Sequence, residues 1–165
     1  MKLFLPLCII LIDACNRNGP AKTNSVITSD SLHKMMEPYA PGLGEIMGGI
    51  QTHHAKLWYA GINDNWKLAQ YEIDELKERF EQARTVETDR PEVKMIPMMY
   101  PSIDSINAAI GNKNLAQFKS GFQLLTTSCN SCHNVNNFEF NIITIPTAPP
   151  VGNQDFKVQA PPLKH

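Results

Sequence analysis

Five consecutive residues near the end of the chain, Cys129-Asn130-Ser131-Cys132-His133, have the types and the spacing to do chemistry. Two thiols separated by two residues, with an imidazole directly after the second, form a C-x-x-C-H run, the attachment signature of a c-type haem. Thiols at this spacing add to the two haem vinyl groups, and the adjacent His133 supplies a proximal ligand to the iron. Two other chemistries compete for the same residues. An oxidised Cys129–Cys132 pair of the thioredoxin kind needs a βαβ setting, and the pattern around it is helical. A Cys2His2 zinc site built from Cys129, Cys132, His53 and His54 would leave unexplained why a histidine directly follows the second cysteine.

Covalent haem is attached outside the cytoplasm, so the N-terminus bears on the reading. Lys2 precedes an apolar run over residues 3–12. A charged residue and a run of this length make a signal peptide, too short to span a bilayer as a mature helix. Ile12-Asp13-Ala14-Cys15 resembles a lipobox, with Asp13 as a departure; the alternative is ordinary cleavage near Ala14. Either way the protein is expected on the periplasmic side of a bacterial membrane, held by a lipid on Cys15 or soluble. Of the four cysteines, Cys8 leaves with the signal and Cys15 carries lipid, so only Cys129 and Cys132 remain. The net charge of −1 points neither to nucleic acid nor to an anionic membrane surface. Contact with a membrane is expected through the lipid anchor only.

The elements that must position the motif are helices. The expected division is a signal over 1–14, a flexible polar tether over 15–40 with local order near Leu32, a haem-binding four-helix domain over 41–145, and an extended tail over 146–165. A first bundle helix runs from Pro41 or Gly42 to Ala60, with Leu43, Met47, Ile50, His54 and Leu57 on one face and Gly61 at its end. A second, capped by Asn63 or Asp64, carries the seam Trp66, Ala69, Ile73, Leu76, Phe80 and Ala83. Its charge run, Glu72 included, reads as a solvated surface, and its short link to the first helix makes an antiparallel hairpin. A long proline-bearing connection over 85–101 follows. A short third helix is capped by Ser102 and ended by Gly111, and the last begins near Asn114. In that last helix Leu115, Phe118, Phe122, Leu125, Cys129 and Cys132 continue one core-facing stripe, which brings the haem into the bundle.

Antiparallel register then selects a candidate for the far side of the iron. Matching Ala60 against Asn114 places Met47 within about a turn of the haem cysteines. His54 lies seven residues on, about 10 Å further along the axis. Met47 is therefore the candidate sixth ligand, against the alternative of a core methionine beside an open site. His54 is expected to be a buried histidine hydrogen-bonded to the bundle or to a propionate, and Trp58, Tyr59 and Trp66 to be packing. Arg79, Arg84 and Arg90 fall on the second helix or in the following connection, which leaves no histidine-and-arginine set of the peroxidase kind.

Four antiparallel helices with C-x-x-C-H late in the last one resemble the cytochrome c-prime class of exported bacterial monohaem proteins, over roughly residues 42–140. The segment Met47-Gly48-Gly49-Ile50-Gln51-Thr52-His53-His54-Ala55-Lys56-Leu57-Trp58 is similar to that of small exported monohaem proteins related to this class. The long second connection and the proline-rich tail depart from the family. The resemblance implies an all-α, antiparallel four-helix bundle with one covalent haem c on Cys129 and Cys132 and with His133 as the proximal ligand. It also places a methionine or a non-bonding apolar side chain early in the first helix, which agrees with Met47. The expected function is single-electron transfer with redox partner proteins of the periplasm or membrane. The alternatives are binding of a small gas (NO or CO) at an open sixth site and, further off, a haem peroxidase. A homodimer is left open.

Overall fold

The computed structural model describes residues 28–159. Its helices are α1 (Ser29–Met36), α2 (Leu43–Ile62), α3 (Trp66–Val86), α4 (Tyr100–Gly111) and α5 (Leu115–Val135), with a 3-10 segment, Pro91–Met99, between α3 and α4. No strand occurs among the described residues, and the fold class is all-α. The chain divides into two units, one ending at Pro38 and the other beginning at Tyr39. In the first, α1 forms within the segment read as a tether, and Thr28 Oγ1 accepts from the Ser31 N–H at 3.2 Å as a capping residue does. The signal peptide and Cys15 lie outside the described residues.

In the second unit α2 packs on α3, α3 on α4, α4 on α5 and α5 back on α2, closing a ring of four helices. Paired residues show three of these neighbours running antiparallel, and a ring of four then requires the same of α4 and α5. Along α2 and α3, His53 meets Glu72 while Gly49 lies against Arg79. Along α3 and α4, Glu81 accepts from Tyr100 while Gln70 donates to Asn107. Along α2 and α5, Gly61 faces Phe118 while His54 faces Thr126. The core follows the expected stripes: Leu43, Ile50 and Leu57 of α2, Ala69, Ile73, Leu76 and Phe80 of α3, Ile103, Ile106 and Ile110 of α4, and Phe118, Phe122 and Leu125 of α5 are all buried.

The ends of the elements depart from the sequence reading in ways that local chemistry explains. Gly61 does not end α2, which runs one residue further. A Cβ there would stand 2.1 Å from Phe118 Cζ, so the glycine serves close approach to a ring rather than termination. The cap of α3 is Asn65, whose side chain accepts from the Leu68 N–H, while Asp64 takes the left-handed turn position at φ 55°. Asn114 caps α5 as expected, accepting from the Gln117 N–H at 3.0 Å. Ser102 is not the cap of α4. The helix starts two residues earlier, with Pro101 in its first turn, where a missing N–H costs nothing. Ser102 is buried inside that turn and donates to the Met99 carbonyl.

The long connection is itself ordered. Over Pro91–Met99 the chain winds as a 3-10 helix, and its buried residues are Val93, Ile96 and Met99. Three residues per turn eclipse side chains at i and i+3, so this spacing of three sets one apolar face against the bundle. The chain after α5 is held at separate points. Ile145 packs on the core, and Phe156 is buried with its ring 5.6 Å from Tyr59. The Asn65 side chain donates to the Phe156 carbonyl at 3.2 Å. This segment therefore returns from the end of α5 to the α2–α3 turn as a strap.

Candidate functional site

One cavity of about 300 Å³ lies between the early half of α2, the end of α5, the 3-10 segment and the start of the strap. Its walls bring together Met47, His54, Cys129, Cys132 and His133. The stripe of α5 thus delivers both cysteines to a cavity, as its spacing implied. They are partly buried against the core, and both are free thiols. Desolvation, reinforced by the neighbouring Cys132, pushes the Cys129 thiol up to about 12. Cys132 is also raised, first by desolvation and then by the charge of Glu92, against a lowering hydrogen bond from Asn136. Both are neutral thiols at pH 7. A thioredoxin-like dithiol sits in a βαβ setting, whereas these thiols stand on a helix with no strand among the described residues.

The histidine of the motif is oriented by the strap. His133 Nδ1 donates to the Asn141 carbonyl at 2.6 Å. A carbonyl can only accept, so Nδ1 carries a proton and Nε2 is the ring nitrogen left to ligate. A ring N–H given to a backbone carbonyl is the usual support of a metal-ligating histidine. Local sequence makes the turn that allows it. Asn137 sits at φ 62°, the Phe138 N–H donates to the His133 carbonyl at 2.8 Å and the Asn137 N–H to Asn134 at 3.3 Å. These are the two bonds of a Schellman ending, with Asn in the left-handed position.

The facing wall of α2 tests whether a flat group fits. Gly44 and Gly48 both line the cavity, and a Cβ built on either would meet nothing within 4 Å. Two adjacent turns of α2 therefore offer bare backbone opposite the thiols, a wall that side chains would fill. Leu43, Ile50, Phe80, Ile96 and Met99 supply the apolar remainder. On the 3-10 segment Glu92 Oε2 is buried without a partner, and Glu92 belongs to the cavity wall. An orphaned acceptor of that kind calls for a polar group in the cavity to meet it. Thiols, an oriented imidazole, a glycine wall and an apolar lining fit a porphyrin held through Cys129 and Cys132.

The second histidine of the cavity is engaged with α5. His54 is buried, and its Nε2 lies 2.9 Å from Thr126 Oγ1. The Thr126 hydroxyl donates to the Phe122 carbonyl at 2.9 Å, so it accepts from His54, which fixes the proton on Nε2. The His54 ring also leans on Phe122 with centroids 4.3 Å apart. Burial pushes its pKa down to about 4, so it is neutral at pH 7. The expected register requires a correction here. Thr126 is one turn before Cys129, so His54 sits one turn from the haem cysteines along the axis rather than two. Met47 and His54 thus stand at the two ends of the α2 wall, about 10 Å apart along the helix.

Two placements depart from the sequence reading. Arg90, expected to lie away from the site, lines the cavity, with Glu87 at 3.6 Å and Glu92 at 4.0 Å from its guanidinium. Glu72, expected in a solvated charge run, is fully buried between α2 and α3. Its Oε2 accepts from His53 Nδ1 at 2.8 Å, and its Oε1 has no partner. The period offered a signal, since Glu72 is three residues after Ala69 and four before Leu76, on the core stripe. His53 is therefore turned toward α3. Among the described residues, no group of three or more His, Cys, Asp or Glu side chains is placed to hold a metal ion by itself, and the Cys2His2 zinc arrangement is not formed.

No protein-family model matches the chain, nor does any curated protein or solved structure. Among the described residues no helix is long and apolar enough to cross a membrane.

Proposed function

We propose that the chain is an exported monohaem c-type cytochrome of the cytochrome c-prime kind, carrying single electrons between periplasmic or membrane redox partners. The observation that carries the reading is the C-x-x-C-H run on a cavity wall, with His133 tied through Nδ1 to Asn141 and its Nε2 left open. Cys129 and Cys132 hold the haem covalently and His133 is its proximal ligand. Bound there, the haem supplies one-electron exchange at its iron. The protein's part is to keep the thiols and imidazole in place and to offer a largely apolar cavity. Met47 is proposed as the sixth ligand. Its thioether is a soft donor on the α2 wall. With His54 level with Thr126, the antiparallel pairing puts Met47, seven residues earlier, near the level of His133, whereas His54 lies about a turn beyond Cys129. Cys15 is proposed as the lipidated mature N-terminus.

The test is chemical. The full chain, expressed with haem-attachment machinery, is denatured, extracted with acid-acetone and weighed. One haem retained on the polypeptide supports the reading, and haem lost wholly to the solvent, or never taken up, overturns it. The spectrum of the reduced protein with and without CO then assigns the role. A six-coordinate low-spin spectrum indifferent to CO, converted to a CO-binding form by Met47→Ala, supports electron transfer with Met47 ligation.

A second reading is favoured by the cavity itself. Arg90 and His54 share it, so a small ligand at the iron would have polar neighbours. A high-spin spectrum that shifts with CO in the unaltered protein places gas binding or peroxidase chemistry ahead of electron transfer.

A further inference from the structure

The acceptor that orients His133 is a main-chain carbonyl, so no side-chain replacement at Asn141 removes it. What fixes that carbonyl in space is a residue of the motif itself. Asn130, between the two cysteines, reaches across to the strap two residues beyond Asn141. Its Nδ2 donates to the Ile143 carbonyl at 2.8 Å, and its Oδ1 accepts from the Ile143 N–H at 2.8 Å. This side-chain amide pairs with both main-chain groups of one residue, as a strand neighbour would. Asn is suited to it because its carboxamide presents a donor and an acceptor side by side. The pair is part-buried. Water competes less for part-buried groups than for exposed ones, which favours the closed clamp. The other inter-cysteine residue does something different: the Ser131 hydroxyl donates to the Thr127 carbonyl within α5 and does not touch the strap.

We propose that Asn130 is a positioning residue for the proximal histidine: by clamping Ile143 it holds the Asn141 carbonyl on His133 Nδ1, and so sets the electron donation of His133 to the haem iron. The proposal rests on the haem reading. An N–H given to a carbonyl makes the opposite ring nitrogen a stronger donor. A stronger donor stabilises the oxidised iron, so the clamp holds the reduction potential down. Axial-ligand strength and second-shell hydrogen bonds are the levers by which a protein sets that potential. The strap thereby becomes part of the iron's environment.

The experiment uses the full-length holoprotein and the variants Asn130→Ala, Asn130→Asp and Ser131→Ala. Three quantities are read: hydrogen exchange at the Ile143 amide, the iron–histidine stretch of the ferrous form (taken on a Met47→Ala background, where the sixth site is open), and the reduction potential. Asn130→Ala removes both bonds. It is expected to release Ile143 protection, lower the stretch and raise the potential. Asn130→Asp keeps an acceptor for the Ile143 N–H and loses only the donor, so it should fall between Ala and the unaltered protein. It also serves if the Ala variant folds poorly. Ser131→Ala should move none of the three. An unchanged stretch and potential in a folded Asn130 variant that has lost Ile143 protection overturns the positioning role. Retained Ile143 protection in Asn130→Ala overturns the clamp. Failure of the unaltered protein to carry haem is seen before any variant is made, and overturns the haem reading instead.

Discussion

The interface of α2 with α5 is built in two opposite ways along its length. At the end near the α2–α3 turn it is closed. Phe118 rests on the bare backbone of Gly61, and Trp58, Trp66 and Phe122 surround it with ring centroids 4.9–6.3 Å apart. At the other end the same two helices stand apart around a cavity, and Gly44 and Gly48 face open space. Glycine serves both ends, in one case because a ring already occupies the place of its side chain and in the other because nothing does. A helix pair that could pack throughout, but packs at one end only, marks the open end as a place kept for something else.

Substitutions at each end sharpen or break that contrast. The largest effect is expected at the closed end. Phe118→Ala removes a wholly buried ring and should lower unfolding free energy by about 3–5 kcal/mol, read from urea denaturation. A loss below about 1 kcal/mol would mean that the aromatic cluster is not the anchor of the interface.

The boundary between the two ends titrates. His54 is buried and neutral, with its pKa pushed from 6.5 to about 4. The unfolded chain then binds a proton that the folded chain refuses, so stability is full above pH 6.5 and falls as pH drops toward 4. A shift of that size corresponds to roughly 3 kcal/mol once both states are protonated. Denaturation midpoints of the unaltered protein and His54→Gln, measured from pH 7.5 to 4, should diverge, with the flatter profile in the variant. Parallel profiles would remove His54 from the acid response.

The glycines make the most direct comparison. Gly61→Ala forces a methyl into the Phe118 ring and should cost about 1–3 kcal/mol. Gly48→Ala should do the reverse in the haem-free chain, gaining up to about 1 kcal/mol from helix propensity. It should nonetheless lower the fraction of chains that acquire haem, measured as the ratio of haem to protein absorbance. Equal haem content in Gly48→Ala would mean that the α2 wall is not in contact with the cofactor. Destabilisation by Gly48→Ala would mean that the wall is not open.

The stripes of this chain were readable because helical period alone decides them. Ile73, Leu76 and Phe80, or Phe118, Phe122 and Leu125, can share a face only in a helix, and one such stripe runs into Cys129 and Cys132. The ends of the helices were less readable, since Asn63, Asp64 and Asn65 are all acceptable caps and only the geometry of the turn chose the last. The 3-10 segment escaped because its prolines outweighed the spacing of Val93, Ile96 and Met99. Glu72 escaped because its charge was taken at face value although its position was a core position.

By itself, the sequence determined the helices, the face each one buries, and the arrival of two cysteines and a histidine at the end of a core stripe. These depend on residues close together in the chain, whose relations the helix fixes. Tertiary structure alone decided the rest. It set His54 on Thr126, which moved the register by a turn; it turned His53 to Glu72; it brought Arg90 and Glu92 into the cavity; and it laid Asn141 and Ile143 over His133 and Asn130. Each of these joins residues brought together by packing or by a returning chain, where no period in the sequence specifies the partner. Even the opposite uses of Gly48 and Gly61 depend on which side chain the opposing helix brings to face them.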